Sequence, residues 1–179
     1  MRARWIALAV AVVIAAFGVV LAVQHRNETS VPRLVQEHAT APPLNLKTLD
    51  GKTIDAKSLA GKTYVVNFFN SWCIPCQQEA GALQAFYDEH RAEQDFAMIG
   101  VVRDDEESAV RGYVNAQKVG YPVALTGAQQ ASLDYGTTGQ PETYVIAPDG
   151  VAVCGALGPS TQAALDTWLQ AARSGKQCE

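Results

Sequence analysis

Cysteine, histidine and charged residues are all scarce in this chain of 179 residues, which has 4 Cys, 3 His and 18% charged side chains. Four cysteines are too few for a small scaffold held together by disulfides, and 48% hydrophobic residues are too many for a disordered chain. Only 14 Gly and 8 Pro exclude a collagen-like repeat as well. The composition therefore predicts one globular domain with some chain to spare.

The chain also lacks an excess of positive charge. Its formal charge is −4, and of its 14 basic residues two, Arg2 and Arg4, precede the first apolar segment. The remainder, after Val23, carries 12 basic and 18 acidic residues, a net charge of −6. We therefore expect a body that binds neither nucleic acid nor anionic lipid.

The first apolar segment, residues 5–23, predicts a membrane anchor over residues 1–23. It has 19 uncharged residues, enough for a helix to span roughly the 30 Å hydrocarbon core of a membrane. Because Arg2 and Arg4 precede it, the positive-inside rule predicts a single-pass protein of the cell membrane with residues 24–179 on the periplasmic side. A signal peptide cleaved near Val20-Leu21-Ala22 is the alternative, and it predicts the same compartment. No cysteine precedes Cys73, which excludes a lipid-modified cysteine after the segment.

Residues 24–43 are polar, lack periodicity and end in Ala41-Pro42-Pro43, a composition typical of a flexible tether. From residue 44 to residue 179 the pattern alternates between strand and helix, which predicts a mixed sheet with helices on both faces. Ser58-Leu59-Ala60-Gly61 is a turn or short helix. The predicted strands cover residues 44–49, 53–54, 64–69, 96–102, 123–125, 143–147 and 151–154, and the predicted helices cover residues 74–92, 106–119, 129–135 and 160–172.

The strongest chemical signal is Trp72-Cys73-Ile74-Pro75-Cys76, which follows a buried strand and opens a helix. A thiolate at Cys73 faces the positive end of that helix, and this placement lowers thiol pKa values. Cys76 lies one turn behind Cys73 and can attack a mixed disulfide formed there, while Pro75 is tolerated in the first helical turn. A zinc site is the alternative, but the chain offers no second Cys or His pair at ligand spacing. We expect no bound metal and no cofactor besides a redox-active Cys73–Cys76 disulfide.

Together with Gly139-Gln140-Pro141-Glu142-Thr143-Tyr144-Val145-Ile146, the motif resembles the thioredoxin superfamily. More closely, the chain is similar to the membrane-tethered thiol–disulfide oxidoreductases of the TlpA-like branch, which includes the reductases of cytochrome c maturation. The resemblance covers residues 43–172. It implies a thioredoxin-like α/β fold with a mixed central sheet flanked by helices, an N-terminal β-hairpin and an added helix-strand segment around residues 106–125.

The resemblance also implies roles for individual residues. Cys73 matches the nucleophile and Cys76 the resolving cysteine of the family. Pro141 matches the cis-proline beside the disulfide, where the backbone at Gln140 pairs with an incoming peptide. Glu79 matches a buried acid of this branch.

Two acidic residues have alternative readings that spacing does not resolve. Glu79 lies three residues after Cys76 on one helix, so a buried carboxyl there would exchange a proton with Cys76, whereas an exposed glutamate would not. In plain thioredoxins the acid lies on the strand, where this chain has Asn67. Glu142 has a counterpart next to the cis-proline in the cytochrome-maturation members, and its alternative is a solvated acid in a turn. The predicted substrate-binding residues are Trp72, Pro75, Gln140, Pro141 and Glu142, with Trp72 shielding the Cys73 sulfur.

Cys154 and Cys178 lie outside the motif. In an oxidising compartment they are expected to form a structural disulfide closing a loop of about 25 residues. The alternative is two separate thiols, one in a strand and one in a frayed tail.

The leading functional prediction is an extracytoplasmic enzyme that reduces disulfides in exported proteins, such as apocytochrome c, and receives electrons from a thiol donor in the membrane. An oxidase that forms disulfides in exported proteins is the first alternative, because Ile74-Pro75 does not fix the reduction potential. A copper chaperone is a second, although such proteins separate their cysteines by three residues and add a distal histidine. A peroxidase is disfavoured because Asn70 occupies the position of the expected threonine and we expect no nearby arginine to polarise a peroxide.

Overall fold

A computed structural model describes residues 39–176 and Cys178. The predicted anchor at residues 1–23 and residues 24–38 of the predicted tether lie outside the described residues. Within the part of the chain that the structure describes, no helix combines the length and the apolar character needed to cross a membrane.

The described chain forms one seven-stranded sheet in the order β2-β1-β5-β4-β3-β6-β7. Its strands are β1 (Asn45–Thr48), β2 (Thr53–Asp55), β3 (Thr63–Phe69), β4 (Phe96–Val102), β5 (Val123–Thr126), β6 (Glu142–Ile146) and β7 (Ala152–Leu157). Its helices are α1 (Ala56–Leu59), α2 (Ile74–His90), α3 (Glu107–Ala116), α4 (Ala128–Asp134) and α5 (Gln162–Arg173).

Strand β3 lies inside the sheet between β4 and β6, and all seven of its residues are buried. It pairs in parallel with β4 and antiparallel with β6, so the sheet is mixed, as predicted. Alternate side chains enter two separate cores. Val65 and Phe69 pack with Leu83 of α2 on one face of the sheet. Val66 and Phe68 belong to the core on the other face, which includes Ala128 and Ala131 of α4. The prediction of helices on both faces is thereby confirmed.

Several element boundaries differ from the predicted ones. Strand β7 extends to Leu157 because its ladder with β6 continues to the pair of Glu142 and Leu157. Helix α5 begins at Gln162 rather than at Ser160, because the Thr161 side chain accepts a hydrogen bond from the backbone N–H of Ala164 and caps the helix.

The folded domain begins earlier than the predicted boundary at residue 44. The backbone of Ala41 donates to Gly150, that of Ala152 donates to Ala39, and Ala41 is buried. Ala152 pairs with Ile146, which in turn pairs with Tyr64 near the start of β3. Residues 39–41 therefore lie at the end of the sheet opposite to the one that leads into Cys73, a distance on the order of 20 Å along the strands.

Cys154 in β7 and Cys178 form a disulfide, with their Cα atoms 5.4 Å apart. The structure thus brings together the two cysteines that the sequence analysis paired. This bond joins the last strand of the sheet to the chain that follows α5.

We expect the double replacement Cys154→Ser/Cys178→Ser to lower the free energy of unfolding by about 3 kcal/mol, because the unfolded chain then loses a loop constraint. Urea unfolding of both proteins, each without added reductant, measures the difference. An unchanged midpoint of unfolding would show that the bond does not constrain the chain in solution.

His90, at the end of α2, links three segments. One ring nitrogen lies 2.8 Å from Glu93 Oε1 and the other 3.0 Å from Asp166 Oδ1 of α5. Burial alone would lower the pKa of His90, but the hydrogen bonds to Asp166 and Glu93 outweigh it and raise the pKa above its ordinary value of 6.5. The protonated ring therefore fastens α5 to α2.

Replacing His90 with glutamine should lower the free energy of unfolding by about 1 kcal/mol at pH 6. Because the pKa is raised in the folded protein, this stabilisation is complete below the ordinary value of 6.5 and is lost as the pH rises through the raised value. Unfolding curves at pH 6 and pH 9 test the expectation. An equal deficit at both values would mean that the ring charge contributes nothing.

Candidate redox site

The junction of β3 and α2 holds Cys73 and Cys76 in a disulfide with their Cα atoms 5.2 Å apart. Cys73 is the N-cap of α2, and its sulfur accepts a hydrogen bond from the backbone N–H of Cys76 at 3.2 Å. Pro75 falls in the first turn, where a missing N–H costs no helical hydrogen bond. The Cys73 sulfur therefore sits at the positive end of a 17-residue helix, which favours its thiolate.

The two cysteines differ in accessibility. Cys73 keeps 5% of its surface exposed and Cys76 none, so Cys73 is the more accessible of the two. The neighbouring Trp72 and Ile74 are 61% and 66% exposed. Trp72 thus presents most of its ring to solvent beside the disulfide, and its shielding of the Cys73 sulfur stays a prediction.

Glu79 is buried, with 2% of its surface exposed, one turn after Cys76 on α2. Its Oε1 accepts from Asn67 Nδ2 at 2.8 Å, and its Oε2 accepts from the backbone N–H of Ser160 at 2.8 Å. Burial raises the pKa of Glu79 to about 7, although the hydrogen bonds from Ser160 and Asn67 act in the opposite direction. The carboxyl therefore exchanges a proton near neutral pH, and the alternative of an exposed glutamate is excluded.

The network around Glu79 contains residues that the sequence analysis did not assign to the site. Asn67 Nδ2 also donates to Thr143 Oγ1 of β6 at 2.9 Å, and Tyr113 donates to the backbone carbonyl of Cys76 at 3.2 Å. Among the described residues, the buried oxygen Asn67 Oδ1 has no hydrogen-bond partner. The only sequence signal for Asn67 was its position on β3, where plain thioredoxins carry their acid.

The Gln140–Pro141 peptide bond is cis. The pair of Phe68 and Glu142 in the ladder of β3 and β6 places Pro141 at the end of β3 that leads into Cys73. The structure therefore brings the proline and the cysteine pair together, as the family resemblance implied. Contact of Gln140 and Pro141 with a substrate stays a prediction.

Glu142 is buried, which excludes the solvated acid considered above. Its Oε2 accepts from the backbone N–H of Thr138 at 3.0 Å and of Gly139 at 3.4 Å, and its Oε1 accepts from the hydroxyl of Tyr144. Glu142 thus binds the loop before Pro141 from inside the protein, a contact with the chain itself rather than with solvent.

Arg103, which follows β4, lies beside this loop, although no arginine is near the cysteine motif in sequence. Its Nη1 donates to Gly139 O at 3.0 Å and to Gln140 Oε1 at 2.7 Å. Strands β3 and β4 are parallel, and both end at the same edge of the sheet, where Phe69 pairs with Val102. Sequence distance hides this proximity, because 33 residues separate Asn70 from Arg103.

A groove of about 300 Å³ runs beside the disulfide, and Trp72, Arg103, Leu133 and Gln140 contribute to its lining. Leu133 of α4 is 69% exposed. An exposed indole, an exposed leucine and polar side chains next to a reactive disulfide form a surface suited to a polypeptide.

Within residues 39–176 and Cys178, one group of three side chains has the spacing of metal ligands, namely Glu89, His90 and Asp166. It lies at the far end of α2 from the disulfide, and both ring nitrogens of His90 are hydrogen-bonded to carboxylates. We assign it no part in the redox site.

Known proteins are similar to this chain in sequence and in fold. The sequence profile of the AhpC/TSA family matches residues 38–153. The thiol–disulfide oxidoreductase ResA of Bacillus thuringiensis (strain Al Hakam) is 31% identical over 130 residues, which cover 73% of this chain and 75% of the relative. ResA of Bacillus subtilis (strain 168) is 27% identical over 142 residues, 79% of each chain.

Solved structures are similar as well. The crystal structure of a thiol:disulfide interchange protein of the thioredoxin family from Chlorobium tepidum TLS superimposes with a TM-score of 0.67 and 31% sequence identity. The match covers 76% of this chain and 97% of the other.

Proposed function

The chain belongs to the AhpC/TSA family of thioredoxin-like proteins and is a thiol–disulfide oxidoreductase, and on this basis we propose that it reduces disulfides of exported proteins outside the cytoplasm. In the proposed reaction, the Cys73 thiolate attacks a substrate disulfide and forms a mixed disulfide, releasing one substrate thiol. Cys76 then attacks Cys73, which releases the second substrate thiol and leaves the Cys73–Cys76 disulfide. The cysteine pair is the only redox group that this reaction requires.

The observation that carries the reducing direction is the burial of Glu79 one turn after Cys76. With a pKa of about 7, its carboxyl becomes negatively charged near neutral pH. A negative charge one helical turn from Cys76 disfavours the thiolate of that buried cysteine, so Glu79 does not add to the stabilisation that the helix end gives the Cys73 thiolate in the reduced pair. A strong oxidant requires the opposite, a stabilised reduced form.

An extracytoplasmic location is supported by the second disulfide. Structural disulfides such as Cys154–Cys178 persist in oxidising compartments and are rare in the cytosol. In the proposed arrangement, residues 1–23 anchor the protein in the membrane and the chain after them serves as a tether. Because residues 39–41 lie at the opposite end of the sheet from Cys73, the redox site would point away from the point where the tether joins the domain.

For the substrate, we propose apocytochrome c with an oxidised pair of haem-binding cysteines. The sequence Cys-x-x-Cys-His at which haem attaches must be reduced before it reacts. A thiol donor in the membrane would return the Cys73–Cys76 disulfide to the dithiol after each turnover. Both proposals extend the family resemblance to this chain.

The reduction potential of the Cys73–Cys76 pair tests the proposed direction. The full-length protein is equilibrated with dithiothreitol or glutathione mixtures, and each cysteine is followed by alkylation and mass spectrometry. A value near about −270 mV, as in thioredoxin, is expected for a reductase. A value near about −120 mV would instead make the protein an oxidase that forms disulfides in exported proteins.

A further inference from the structure

The loop before the cis-proline, residues 137–140, is held between two opposite charges. On one side, Arg103 donates through Nη2 to Thr137 O at 3.2 Å and through Nη1 to Gly139 O at 3.0 Å. On the other side, the Glu142 carboxylate accepts from the backbone N–H groups of Thr138 and Gly139. Arg103 thus binds carbonyl groups of the loop and Glu142 binds its N–H groups, so the peptide groups of the loop have little freedom to rotate.

Arg103 is itself fixed from several directions. Its Nε donates to Ser132 Oγ of α4 at 2.9 Å, so four of the five guanidinium N–H groups have neutral acceptors. Its backbone N–H bonds to Asn70 Oδ1, and Asn70 O in turn accepts the backbone N–H of Cys73. One short path of hydrogen bonds therefore runs from the loop through Arg103 to the reactive cysteine.

The charge of Arg103 is not used in an ion pair. Among the described residues, no carboxylate oxygen lies within 4.0 Å of its guanidinium nitrogens, and the adjacent Asp104 is exposed. Arg103 is half-buried and has no carboxylate partner, so these four hydrogen bonds offset the cost of removing its guanidinium from water. The side chain of Arg103 therefore fixes the conformation of the loop of residues 137–140 and does not form an ion pair.

Gln140 is the residue of this loop whose side chain Arg103 binds directly. Arg103 fixes its side chain through Oε1 at 2.7 Å, while its backbone N–H and C=O take part in no hydrogen bond among the described residues. An extended polypeptide pairs with backbone groups of this kind when they are held in a fixed direction. The groove lined by Trp72 and Leu133 lies beside them.

We propose that Arg103 is a positioning residue for polypeptide substrates, which holds the loop of residues 137–140 so that the backbone of Gln140 pairs with the substrate chain next to Cys73. This inference rests on the proposed function, since it requires a polypeptide partner at the disulfide. It assigns Arg103 to substrate affinity and not to the exchange reaction at the sulfurs.

The test compares two reactions of the full-length protein, thiol–disulfide exchange with a Cys-x-x-Cys peptide and with dithiothreitol, which is too small to need the loop. The peptide is followed in whichever direction the wild-type protein favours. Arg103→Met should raise KM for the peptide about tenfold, leave kcat within a factor of two and leave the dithiothreitol rate unchanged. Arg103→Lys, which keeps the charge but not the planar fork, should give an intermediate KM.

Arg91→Met provides the matched control, because Arg91 is an exposed arginine at the far end of α2, where it pairs with Asp88. It should leave both reactions unchanged. An unaltered peptide KM in Arg103→Met, or a parallel loss of both reactions together with a lowered midpoint of unfolding, would overturn the inference. A wild-type protein that only oxidises the peptide would contradict the reductase proposal, while the ratio of KM values would still test Arg103.

Discussion

Replacing Cys73 with serine is expected to abolish disulfide reduction, with a loss of at least about 10³-fold that leaves only the uncatalysed background. The sulfur of Cys73 is the N-cap of α2 and the more accessible of the pair, and a serine hydroxyl there does not ionise near neutral pH. Reduction of an oxidised Cys-x-x-Cys peptide, followed by mass spectrometry, measures the loss. Substantial turnover by the serine variant would mean that another group attacks the substrate.

Replacing Cys76 with serine should have a different result. Cys73 still attacks the substrate, but no second thiol resolves the product, so a mixed disulfide with the peptide accumulates in a one-to-one ratio. Intact-mass analysis without reductant detects this adduct. The double variant Cys154→Ser/Cys178→Ser is the matched control, because it removes two cysteines elsewhere and should retain full turnover when it is assayed under folding conditions.

The second large effect is expected from Glu79→Gln. We expect the deprotonated carboxyl of the wild-type protein to accept the proton of Cys76 as that thiol attacks the mixed disulfide, so the resolving step should accelerate as the pH rises through about 7. Glutamine cannot accept this proton. We expect the resolving step to be about 10²-fold slower at pH 8 and to lose its inflection near pH 7. Stopped-flow measurement of peptide release across pH 5–9 gives both quantities.

The same substitution should change how stability depends on pH. The pKa of Glu79 is raised from 4.5 to about 7 in the folded protein, so its contribution is complete below 4.5 and is lost as the pH rises through about 7. The loss should amount to roughly 3 kcal/mol, because each pKa unit corresponds to about 1.4 kcal/mol. Urea unfolding of Glu79→Gln should lack this decline.

Glu89→Gln is the matched control for both measurements, because Glu89 is an exposed glutamate on the same helix. It should keep the wild-type pH profiles of activity and stability. If Glu79→Gln keeps them too, the buried carboxyl takes no part in proton transfer, and the proposed argument for a reducing potential loses its basis.

Most of the fold could be predicted from sequence because its signals are local. Strand β3 is a continuous apolar run, and the cysteine motif that follows it begins a helix at the residue where the structure places one. The disulfide of Cys154 and Cys178 followed from counting cysteines, since only two remained outside the motif. The helix and strand ends were less well predicted, because they depend on caps and ladder pairs such as Thr161 and Leu157.

The acids of the site were only partly predictable. Spacing placed Glu79 one turn from Cys76, but the environment of its carboxyl depends on the distant segment before α5, where the backbone N–H of Ser160 donates to it. For Glu142, too, the sequence left burial and solvent exposure open. In the structure its side chain is buried and accepts a hydrogen bond from the backbone N–H of Thr138, in the loop before Pro141. A pKa depends on surroundings that several distant segments build together.

The sequence by itself determined the chemistry of this protein: a pair of cysteines at a strand-to-helix junction, an acid one turn away and a family resemblance that supplies the cis-proline. Only the tertiary structure decided how the substrate-facing loop is held. Arg103 lies 33 residues from Asn70, and the parallel pairing of β3 with β4 brings the two together at the end of the sheet. That pairing also allows the hydrogen bonds from Arg103 to Gly139 and Gln140. The sequence alone could not predict them, because contacts between segments far apart in the chain leave no periodic pattern in the sequence.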